Sequence, residues 1–292
     1  MDNASIQSFF ENHELTLVGT FSRLNMVKPW FNALDKLEMP RKKIHLLIFD
    51  NSDQKDLELA LRKEINLREK DFLSVKFRKS GRKGGRTILG QDNNNWKKSK
   101  LKPIWDMWID LCYIIHTDVF FLIEDDTIAP PHAFLQLMQD FTTLDSAGFC
   151  IGIETGRTAF EWSPVRLGVH HIVRDGDKIL KRISLNPNLT GVHEVDCAGV
   201  YCFITYTDLW RRAIENQKGY VASVPFFAMD NLLTNNMKKL GYKIYADFGV
   251  WCDHLQQSAG KMIAFNKRNA VQMLDIWIPE ANNYGQCIEI KK

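Results

Sequence analysis

The stretch that most constrains this chain is residues 119–127, which read VFFLIEDDT. Five consecutive apolar residues predict a strand that is buried on both faces, as in a parallel sheet covered by helices. The run ends in three carboxylates, Glu124, Asp125 and Asp126. Adjacent negative charges repel one another, and a hard divalent cation such as Mg²⁺ or Mn²⁺ offsets that repulsion. Because ligands of open α/β sheets gather at the carboxyl ends of strands, we interpret the motif as a metal and substrate site rather than an acidic, solvated turn.

The residues before this motif alternate between strand and helix patterns, which is typical of a nucleotide-binding half-sheet. Apolar runs predict strands over residues 15–19, 44–49 and 73–77, and helical spacing predicts helices over 30–37, 57–68 and 100–115. Polar residues follow the first two strands and the strand at 119–123. We therefore expect these three strand ends to lie side by side and to form one crevice.

The second half of the chain is less regular. Helices are predicted over residues 134–141, 208–216, 230–240 and 264–277, and strands over 148–152, 200–205 and part of 241–254. A turn signal at residues 175–177 separates two apolar runs, which predicts a hairpin of strands 169–173 and 179–183.

The composition excludes several classes of protein. With 292 residues, 45% hydrophobic and 25% charged, the chain is an ordinary globular protein that can bury a large core. No apolar run reaches the ~18 residues of a membrane span, and the N-terminus lacks the apolar core of a signal peptide. The six cysteines include no CxxC pair. We expect a cytoplasmic protein with buried thiols rather than disulfides or a zinc site.

The charge is distributed unevenly along the chain. Residues 76–102 contain ten basic residues and one acidic residue, so this basic window carries +9 and the rest of the chain −6. A run of charge is often a solvated face, but this one is rich in glycine and directly precedes the strand with the acidic motif. A polyanion bound by the window is the functional alternative.

Two later stretches complete a set of motifs. Residues 226–231 read FFAMDN and open a predicted helix, and residues 241–254 read GYKIYADFGVWCDH and end in His254. With residues 15–23, 44–51 and 121–127, in this order, they resemble the family-2-like GT-A glycosyltransferases, which use nucleotide sugars and carry a DxD-type metal motif. The resemblance spans roughly residues 15–256. It implies an α/β fold of GT-A type, with a Rossmann-like central sheet, helices on both faces and an acceptor-side subregion.

The resemblance also implies roles for the matching residues. Asp126 would be the main metal ligand, with Glu124 or Asp125 facing the ribose, and His254 would supply a further metal contact. Asp230, which opens the acceptor-side helix, would be the general base. The loops after the first two strands would hold the base and ribose through Thr20, Phe21, Arg23, Asp50 and Asn51.

This chain departs from the family pattern in two places. The motif is Glu-Asp-Asp rather than Asp-x-Asp, and Met229 stands where many members carry a second acid. The first departure affects the choice of metal and the second the assignment of the base. The residues themselves also permit simpler roles, because Asp230 can be the N-cap of its helix and His254 a hydrogen-bonded core histidine. His170 and His171 are not a predicted metal pair, because neighbours on a strand point to opposite faces.

The chemistry of sugar transfer requires the same parts. Breaking a sugar–phosphate bond builds negative charge on the leaving nucleoside diphosphate, which a metal ion and basic residues stabilise. Arg82, Arg86 and Lys98 are our candidates for contacting the diphosphate. The acceptor hydroxyl needs a carboxylate to take its proton, an effect worth ~10²–10⁴ in rate.

We therefore expect one GT-A domain over residues 1–292, with a nucleotide-sugar-binding half at 15–127, an acceptor-binding and catalytic half at 128–256 and a C-terminal extension at 257–292. The expected activity is transfer of a sugar from a nucleotide diphosphate sugar, first of all a UDP-sugar, to a hydroxyl, with Mn²⁺ or Mg²⁺ as cofactor. Hydroxymethylated bacteriophage DNA is one acceptor that the resemblance and the basic window allow. A glycan or lipid-linked acceptor is the alternative. The joint presence of Asp126, Asp230 and His254 argues against a third hypothesis, an inactive sugar-nucleotide-binding module.

Overall fold

A computed structural model describes residues 3–81, 102–155, 167–175, 178–216, 229–258, 261–271 and 287–289. The α-helices of these residues are α1 Asn3–Asn12, α2 Val27–Leu34, α3 Lys55–Arg68, α4 Lys102–Ile114, α5 Ala133–Thr143, α6 Thr207–Glu215 and α7 Met229–Lys239. The first strands are β1 Leu15–Phe21, β2 Ile44–Asp50, β3 Ser74–Lys79, β4 Val119–Glu124, β5 Thr127–Ile128, β6 Ala147–Ile153, β7 Val169–Asp175 and β8 Lys178–Leu185. The remaining strands are β9 Val192–Val195, β10 Cys197–Ala198, β11 Cys202–Tyr206, β12 Lys243–Trp251, β13 Asp253–Ser258, β14 Lys261–Phe265 and β15 Cys287–Glu289.

Among the described residues, the main sheet has eight strands in the order β3-β2-β1-β4-β11-β6-β12-β9. Strand β1 pairs in parallel with β2 on one side and with β4 on the other, so Phe21 lies beside Asp50 and Thr20 beside Glu124. The carboxyl ends of the first, second and acidic strands are therefore adjacent, as predicted.

The central strands are buried on both faces. Phe120 and Phe121 are neighbours on β4 and point to opposite faces of the sheet. The Phe120 ring packs against Trp210 of α6 at 5.3 Å between centroids, and the Phe121 ring packs against Phe134 of α5 at 5.2 Å. Helices thus cover both faces, as the uninterrupted apolar run predicts.

The main sheet is mixed, whereas the sequence predicted parallel strands. β11 inserts antiparallel between β4 and β6, with Cys202 beside Ile123. A run that is buried on both faces has the same pattern whether its neighbours are parallel or antiparallel, so the sequence alone could not reveal this. The predicted hairpin is confirmed, because β7 and β8 pair antiparallel. The helix predicted over residues 264–277 was wrong at its start, since Lys261–Phe265 forms β14 and helical backbone is found at 267–271.

A small sheet of three strands, β14-β13-β5, lies next to the acidic motif. Strand β5 begins directly after Asp126, and β13 pairs with it so that His254 lies beside Thr127 and Asp253 beside Ile128. The backbone nitrogen of Leu255 also donates to the carbonyl oxygen of Asp126 at 2.7 Å. This pairing places His254 at the carboxyl end of β4.

Two composition-based expectations can be compared with the structure. The cysteines Cys112, Cys150, Cys202 and Cys252 are buried free thiols, as predicted. In the part of the chain that the structure describes, we find no helix with the length and apolar character needed to cross a bilayer.

Candidate functional site

The acidic motif lies at the carboxyl end of β4 and is held from three sides. Asp125 and Asp126 are only 3% and 0% exposed, while Glu124 is partly exposed. The backbone nitrogen of Glu124 donates to the carbonyl oxygen of Tyr201, and the backbone nitrogen of Ser22 donates to Asp125 Oδ2, at 2.9 and 2.8 Å. Two buried carboxylates in sequence require counter-charge, since isolated buried charges are costly.

Arg23, in the loop after β1, supplies part of that counter-charge. Its Nη2 contacts Asp125 Oδ1 directly, its Nε donates to Asp125 Oδ2 at 3.2 Å, and its Nη1 donates to Asp126 Oδ2 at 2.8 Å. Burial works against the guanidinium charge, but the carboxylates of Asp125, Glu124 and Glu154 outweigh it and raise the pKa of Arg23. The predicted nucleotide-binding arginine is therefore placed on the acidic motif itself.

His254 reaches Asp126 from the opposite side. Its Nε2 lies 3.2 Å from Asp126 Oδ2, and its Nδ1 lies 2.7 Å from the carbonyl oxygen of Thr155 and 2.8 Å from Glu154 Oε1. The structure thus brings together two residues that are 128 positions apart and that the sequence analysis paired as metal ligands.

Glu154 was missed by the sequence analysis. It follows β6 directly, is buried, and accepts a hydrogen bond at 3.4 Å from the hydroxyl of Thr127. The signal was present, because β6 is an apolar strand that ends in a carboxylate just as β4 does. Without the strand order, nothing indicated that these two ends lie close enough to share His254.

Four of the residues expected to hold the nucleotide, Thr20, Phe21, Asp50 and Asn51, lie at the ends of β1 and β2 and are buried. The ring of Phe21 packs against Trp30 at 5.0 Å between centroids and is part of the core, so it cannot stack on a base without leaving that core. Thr20 is buried between the neighbouring strands. Asn51 is also buried, and its Nδ2 donates to the carbonyl oxygen of Pro103 at 3.2 Å.

Asp50 is fully buried beneath this edge rather than open to it. Burial raises its pKa, even though Ser52 Oγ donates to Oδ1 at 2.6 Å and Lys79 Nζ lies 3.7 Å from Oδ2. Its side chain is thus engaged by protein groups, and its direct contribution to a nucleotide pocket would require rearrangement of Ser52.

Asp230 lies in the first turn of α7, and its Oδ1 accepts a hydrogen bond from the backbone nitrogen of Asn231 at 2.9 Å. The helix is fixed against β10, where the backbone nitrogen of Ala198 donates to Thr234 Oγ1 at 3.2 Å. The chain continues from β10 to Tyr201, whose carbonyl oxygen accepts the hydrogen bond from the Glu124 backbone nitrogen, so α7 is connected to the acidic motif through this segment.

Of the basic window, only the two ends are described. Arg82, Arg86 and Lys98 lie outside the described residues. Lys79 Nζ is 2.8 Å from Glu58 Oε2, and Lys102 Nζ is 2.6 Å from Asp106 Oδ2. Lys76 and Arg78 are exposed on the edge strand β3. Part of the positive charge of the window is therefore neutralised by acidic residues that lie outside it.

The side-chain atoms at the acidic motif fit a divalent cation whose remaining ligands come from a substrate. Neighbouring ligands of an octahedral Mg²⁺ or similar ion are about 3 Å apart, and Asp126 Oδ2 and His254 Nε2 are 3.2 Å apart. Among the described residues there is no group of three or more His, Cys, Asp and Glu side chains that could hold a metal by themselves. A cation here would thus take its other ligands from phosphate oxygens and water, as Mg²⁺ commonly does.

No protein-family model matches the chain, and no curated protein matches it in sequence. Similar solved structures exist. The crystal structure of GalNAc-T7 with UDP, GalNAc and Mn²⁺ has a TM-score of 0.55 and 13% identity, and the match covers 94% of this chain and 50% of that one.

Two further structures match less closely. The mannosyltransferase PcManGT from Pyrobaculum calidifontis in complex with GDP-Man and Mn²⁺ has a TM-score of 0.47 and 11% identity, and the match covers 80% of this chain and 54% of that one. The structure of S. aureus TarS 1–349 has a TM-score of 0.43 and 10% identity, and the match covers 80% of this chain and 57% of that one. This chain thus spans about half the length of the structures it resembles. With TM-scores below 0.5 for the last two, the fold assignment rests on the first match and on the mixed sheet with helices on both faces: this chain has a GT-A-type fold.

Proposed function

We propose that this protein is a divalent-metal-dependent glycosyltransferase that moves a sugar from a nucleotide diphosphate sugar to an acceptor hydroxyl. The observation that carries the proposal is the convergence of Asp126 and His254 at the carboxyl end of β4, with an oxygen and a nitrogen 3.2 Å apart. This is the position at which open α/β sheets bind their ligands. The fold supports the same activity, and GalNAc-T7 was solved with UDP, GalNAc and Mn²⁺.

In this mechanism the bond between the sugar C1 and the diphosphate oxygen breaks, and the electron pair leaves with the nucleoside diphosphate. A bound Mn²⁺ or Mg²⁺ would stabilise the negative charge on that leaving group. Asp126 and His254 would hold the ion. Glu124, the partly exposed acid of the motif, is suited to accept hydrogen bonds from the ribose hydroxyls, whereas Asp125 is already engaged by Ser22 and Arg23.

The acceptor oxygen forms the new bond to C1 and loses its proton to a base. Asp230 is our candidate, since its helix is connected through β10 to the segment that binds Glu124, and its side chain is partly exposed. The hydrogen bond from the Asn231 backbone to Oδ1 orients the carboxylate, and Oδ2 would take the proton. The contact with the Asn231 backbone and catalysis are compatible in this arrangement.

The donor can be identified by a metal-dependent thermal-shift screen with UDP-, GDP- and CDP-sugars. Binding raises stability by RT ln(1 + [L]/Kd), so the matching nucleotide should raise Tm more than the others and only when Mn²⁺ or Mg²⁺ is present. We expect the UDP-sugars to give the largest shift. Equal Tm values with every nucleotide, with and without metal, would overturn the proposal.

For the acceptor, two candidate classes have specific support. The net charge of +9 in the basic window supports a polyanion such as hydroxymethylated DNA. The salt bridges of Lys79 and Lys102 favour a glycan or lipid-linked hydroxyl, because they leave only two of the four described basic side chains of the window to contact a polyanion. As part of the proposal, residues 15–127 form the donor half and 128–256 the acceptor half of one domain.

A further inference from the structure

Glu154 has no role in the activity proposed above, yet it is among the least exposed charged residues of the site. Its side chain is 4% exposed, and its Oε1 lies 2.8 Å from His254 Nδ1. Its Oε2 accepts the hydrogen bond from the hydroxyl of Thr127. A carboxylate is rarely buried to this degree without a partner that needs its charge.

The backbone of Glu154 is fixed independently of its side chain. Its nitrogen donates to the hydroxyl oxygen of Tyr201 at 3.2 Å, and the backbone nitrogen of Gly168 donates to its carbonyl oxygen at 2.9 Å. The Tyr201 hydroxyl donates in turn to the carbonyl oxygen of Gly152 at 3.0 Å. A side chain at position 168 would collide with the Tyr201 ring, so glycine is required there. Glu154 therefore presents its carboxylate from a rigid support.

These contacts determine the tautomer of His254. Its Nδ1 faces two oxygen atoms, the Thr155 carbonyl at 2.7 Å and Glu154 Oε1 at 2.8 Å. A carbonyl oxygen can only accept, so Nδ1 must carry the proton. The Thr155 carbonyl oxygen accepts the hydrogen bond from Nδ1. Among the described residues, Glu154 Oε1 makes no hydrogen bond of good geometry. The effect of the Glu154 carboxylate on the imidazole ring is therefore mainly electrostatic. In the neutral ring, the lone pair is then on Nε2, which faces Asp126.

We infer that Glu154 is a positioning residue, whose negative charge holds His254 with Nδ1 protonated and makes Nε2 a stronger ligand for the cation that it shares with Asp126. Carboxylates behind a ligating histidine fix its orientation and raise its basicity, and losing them typically weakens metal binding 10–100-fold. This inference rests on the proposed metal-dependent function, but it concerns a residue that the function does not itself require.

Three substitutions separate a charge effect from a packing effect. Glu154→Gln keeps the shape and removes the charge, whereas Glu154→Asp keeps the charge and shortens the side chain. Binding of Mn²⁺, alone and with UDP, is followed by the loss of the free-ion signal in electron paramagnetic resonance. We expect the Kd for Mn²⁺ to rise at least tenfold in Glu154→Gln and less in Glu154→Asp. Glu194→Gln, an exposed glutamate on β9, should leave it unchanged.

A double-mutant cycle then tests whether Glu154 acts through His254. In a His254→Ala background, Glu154→Gln should have little further effect on Mn²⁺ binding, because the ring that transmits its charge is gone. An undiminished effect in that background would overturn the inference, since it would show that the charge acts on the ion directly. If Glu154→Gln bound Mn²⁺ as tightly as the wild type, and more tightly than Glu154→Asp, the inference would be overturned in favour of a packing role. Thermal unfolding in EDTA checks that each variant is folded.

The outcomes distinguish this inference from the proposed function. Wild-type protein that binds Mn²⁺ with a Kd unaffected by Glu154→Gln would overturn the role of Glu154 and leave the metal-dependent transferase intact. Wild-type protein that binds no Mn²⁺, with or without UDP, would overturn both. A Kd for Mn²⁺ that rises tenfold or more in Glu154→Gln, and less in Glu154→Asp, supports both the role of Glu154 and the proposed function.

Discussion

Nη1 of Arg23 donates to Oδ2 of Asp126 at 2.8 Å, although the two residues are 103 positions apart in the chain. The same oxygen is 3.2 Å from Nε2 of His254. One carboxylate oxygen is thus in contact with both the Arg23 guanidinium and the His254 imidazole. A cation bound between Asp126 and His254 would have to share this oxygen with Arg23 or displace the guanidinium from it.

Arg23→Met should therefore have opposite effects on the metal-free and metal-bound protein. Without metal, it removes the guanidinium that pairs with the buried carboxylates of Asp125 and Asp126, and the free energy of unfolding should fall by roughly 3 kcal/mol. Excess Mn²⁺ should then raise Tm more than in the wild type, because the competing cation is gone. Thermal unfolding in EDTA and in Mn²⁺ measures both effects.

The matched control for this experiment is Arg62→Met. The Arg62 side chain is 54% exposed and pairs with Glu58 one helical turn away, so its loss should cost less than about 1 kcal/mol. If Mn²⁺ shifted the Tm of Arg23→Met and of the wild type equally, competition between Arg23 and the cation would be ruled out.

Asp126→Asn should abolish turnover that depends on Mn²⁺ or Mg²⁺, together with the metal-dependent part of donor binding. Asparagine keeps the shape of the side chain but loses the charge that a hard cation requires. Turnover is measured with and without EDTA. Asp118→Asn, an exposed aspartate just before β4, should behave as the wild type. Full activity of Asp126→Asn in EDTA would contradict the metal-dependent mechanism.

Asp230→Asn should lower kcat by two orders of magnitude or more and leave donor binding nearly unchanged. This is the pattern for an interaction made only in the transition state. Asp208→Asn is the matched control, because Asp208 also lies in the first turn of a helix and any loss of helix stabilisation should be similar. Should both variants keep their kcat, Asp230 would have only a structural role in the first turn of α7.

The acceptor class can be tested by the salt dependence of binding. Lys79 is unsuitable for charge reversal because it pairs with Glu58 and approaches buried Asp50, so we choose the exposed Lys76 and Arg78. If the basic window binds duplex DNA, Lys76→Glu with Arg78→Glu should weaken binding and reduce the salt slope, by about 0.9 for each phosphate that the variant no longer neutralises.

The measurement is a fluorescence titration with hydroxymethylated and plain duplex DNA at several salt concentrations. Lys63→Glu, an exposed lysine on α3, serves as the control. An absence of binding to either duplex at low salt would remove the DNA acceptor and leave the glycan or lipid-linked hydroxyl.

Asp140 makes the stability of the fold depend on pH. Burial, followed by the charge of Asp247, raises the pKa of Asp140 to about 7. The folded protein thus holds this proton more tightly than the unfolded chain does. The free energy of unfolding should fall as pH rises from about 4 to about 7 and then stay level.

Asp140→Asn imitates the protonated carboxyl and should remove most of this dependence. The variant should match the wild type near pH 4 and be more stable at pH 8 by on the order of 2 kcal/mol, after allowance for solvent screening. Chemical unfolding across the pH range measures the difference. Asp145→Asn, at an aspartate whose side chain is 84% exposed, should show no such trend. Parallel pH profiles for Asp140→Asn and the wild type would contradict the assignment.

Much of the structure of residues 15–127 was predictable from sequence, because burial on both faces leaves a direct trace in composition. The runs at β1, β2 and β4 consist of apolar residues, and each ends in polar side chains, so their existence, order and shared edge could be predicted. The pairing of Asp126 with His254 came instead from the family resemblance. The structure then places Asp126 Oδ2 and His254 Nε2 3.2 Å apart.

Only the tertiary structure decided what surrounds that pair. The antiparallel insertion of β11 and the pairing of β13 with β5 depend on contacts between residues far apart in sequence, and apolar patterning does not encode the direction or partner of a strand. For the same reason, the contact of Arg23 with the acidic motif and the position of Glu154 behind His254 were not predicted. Sequence determines which residues are buried and where strands end, whereas the charges that meet at those ends are set by how the sheet assembles.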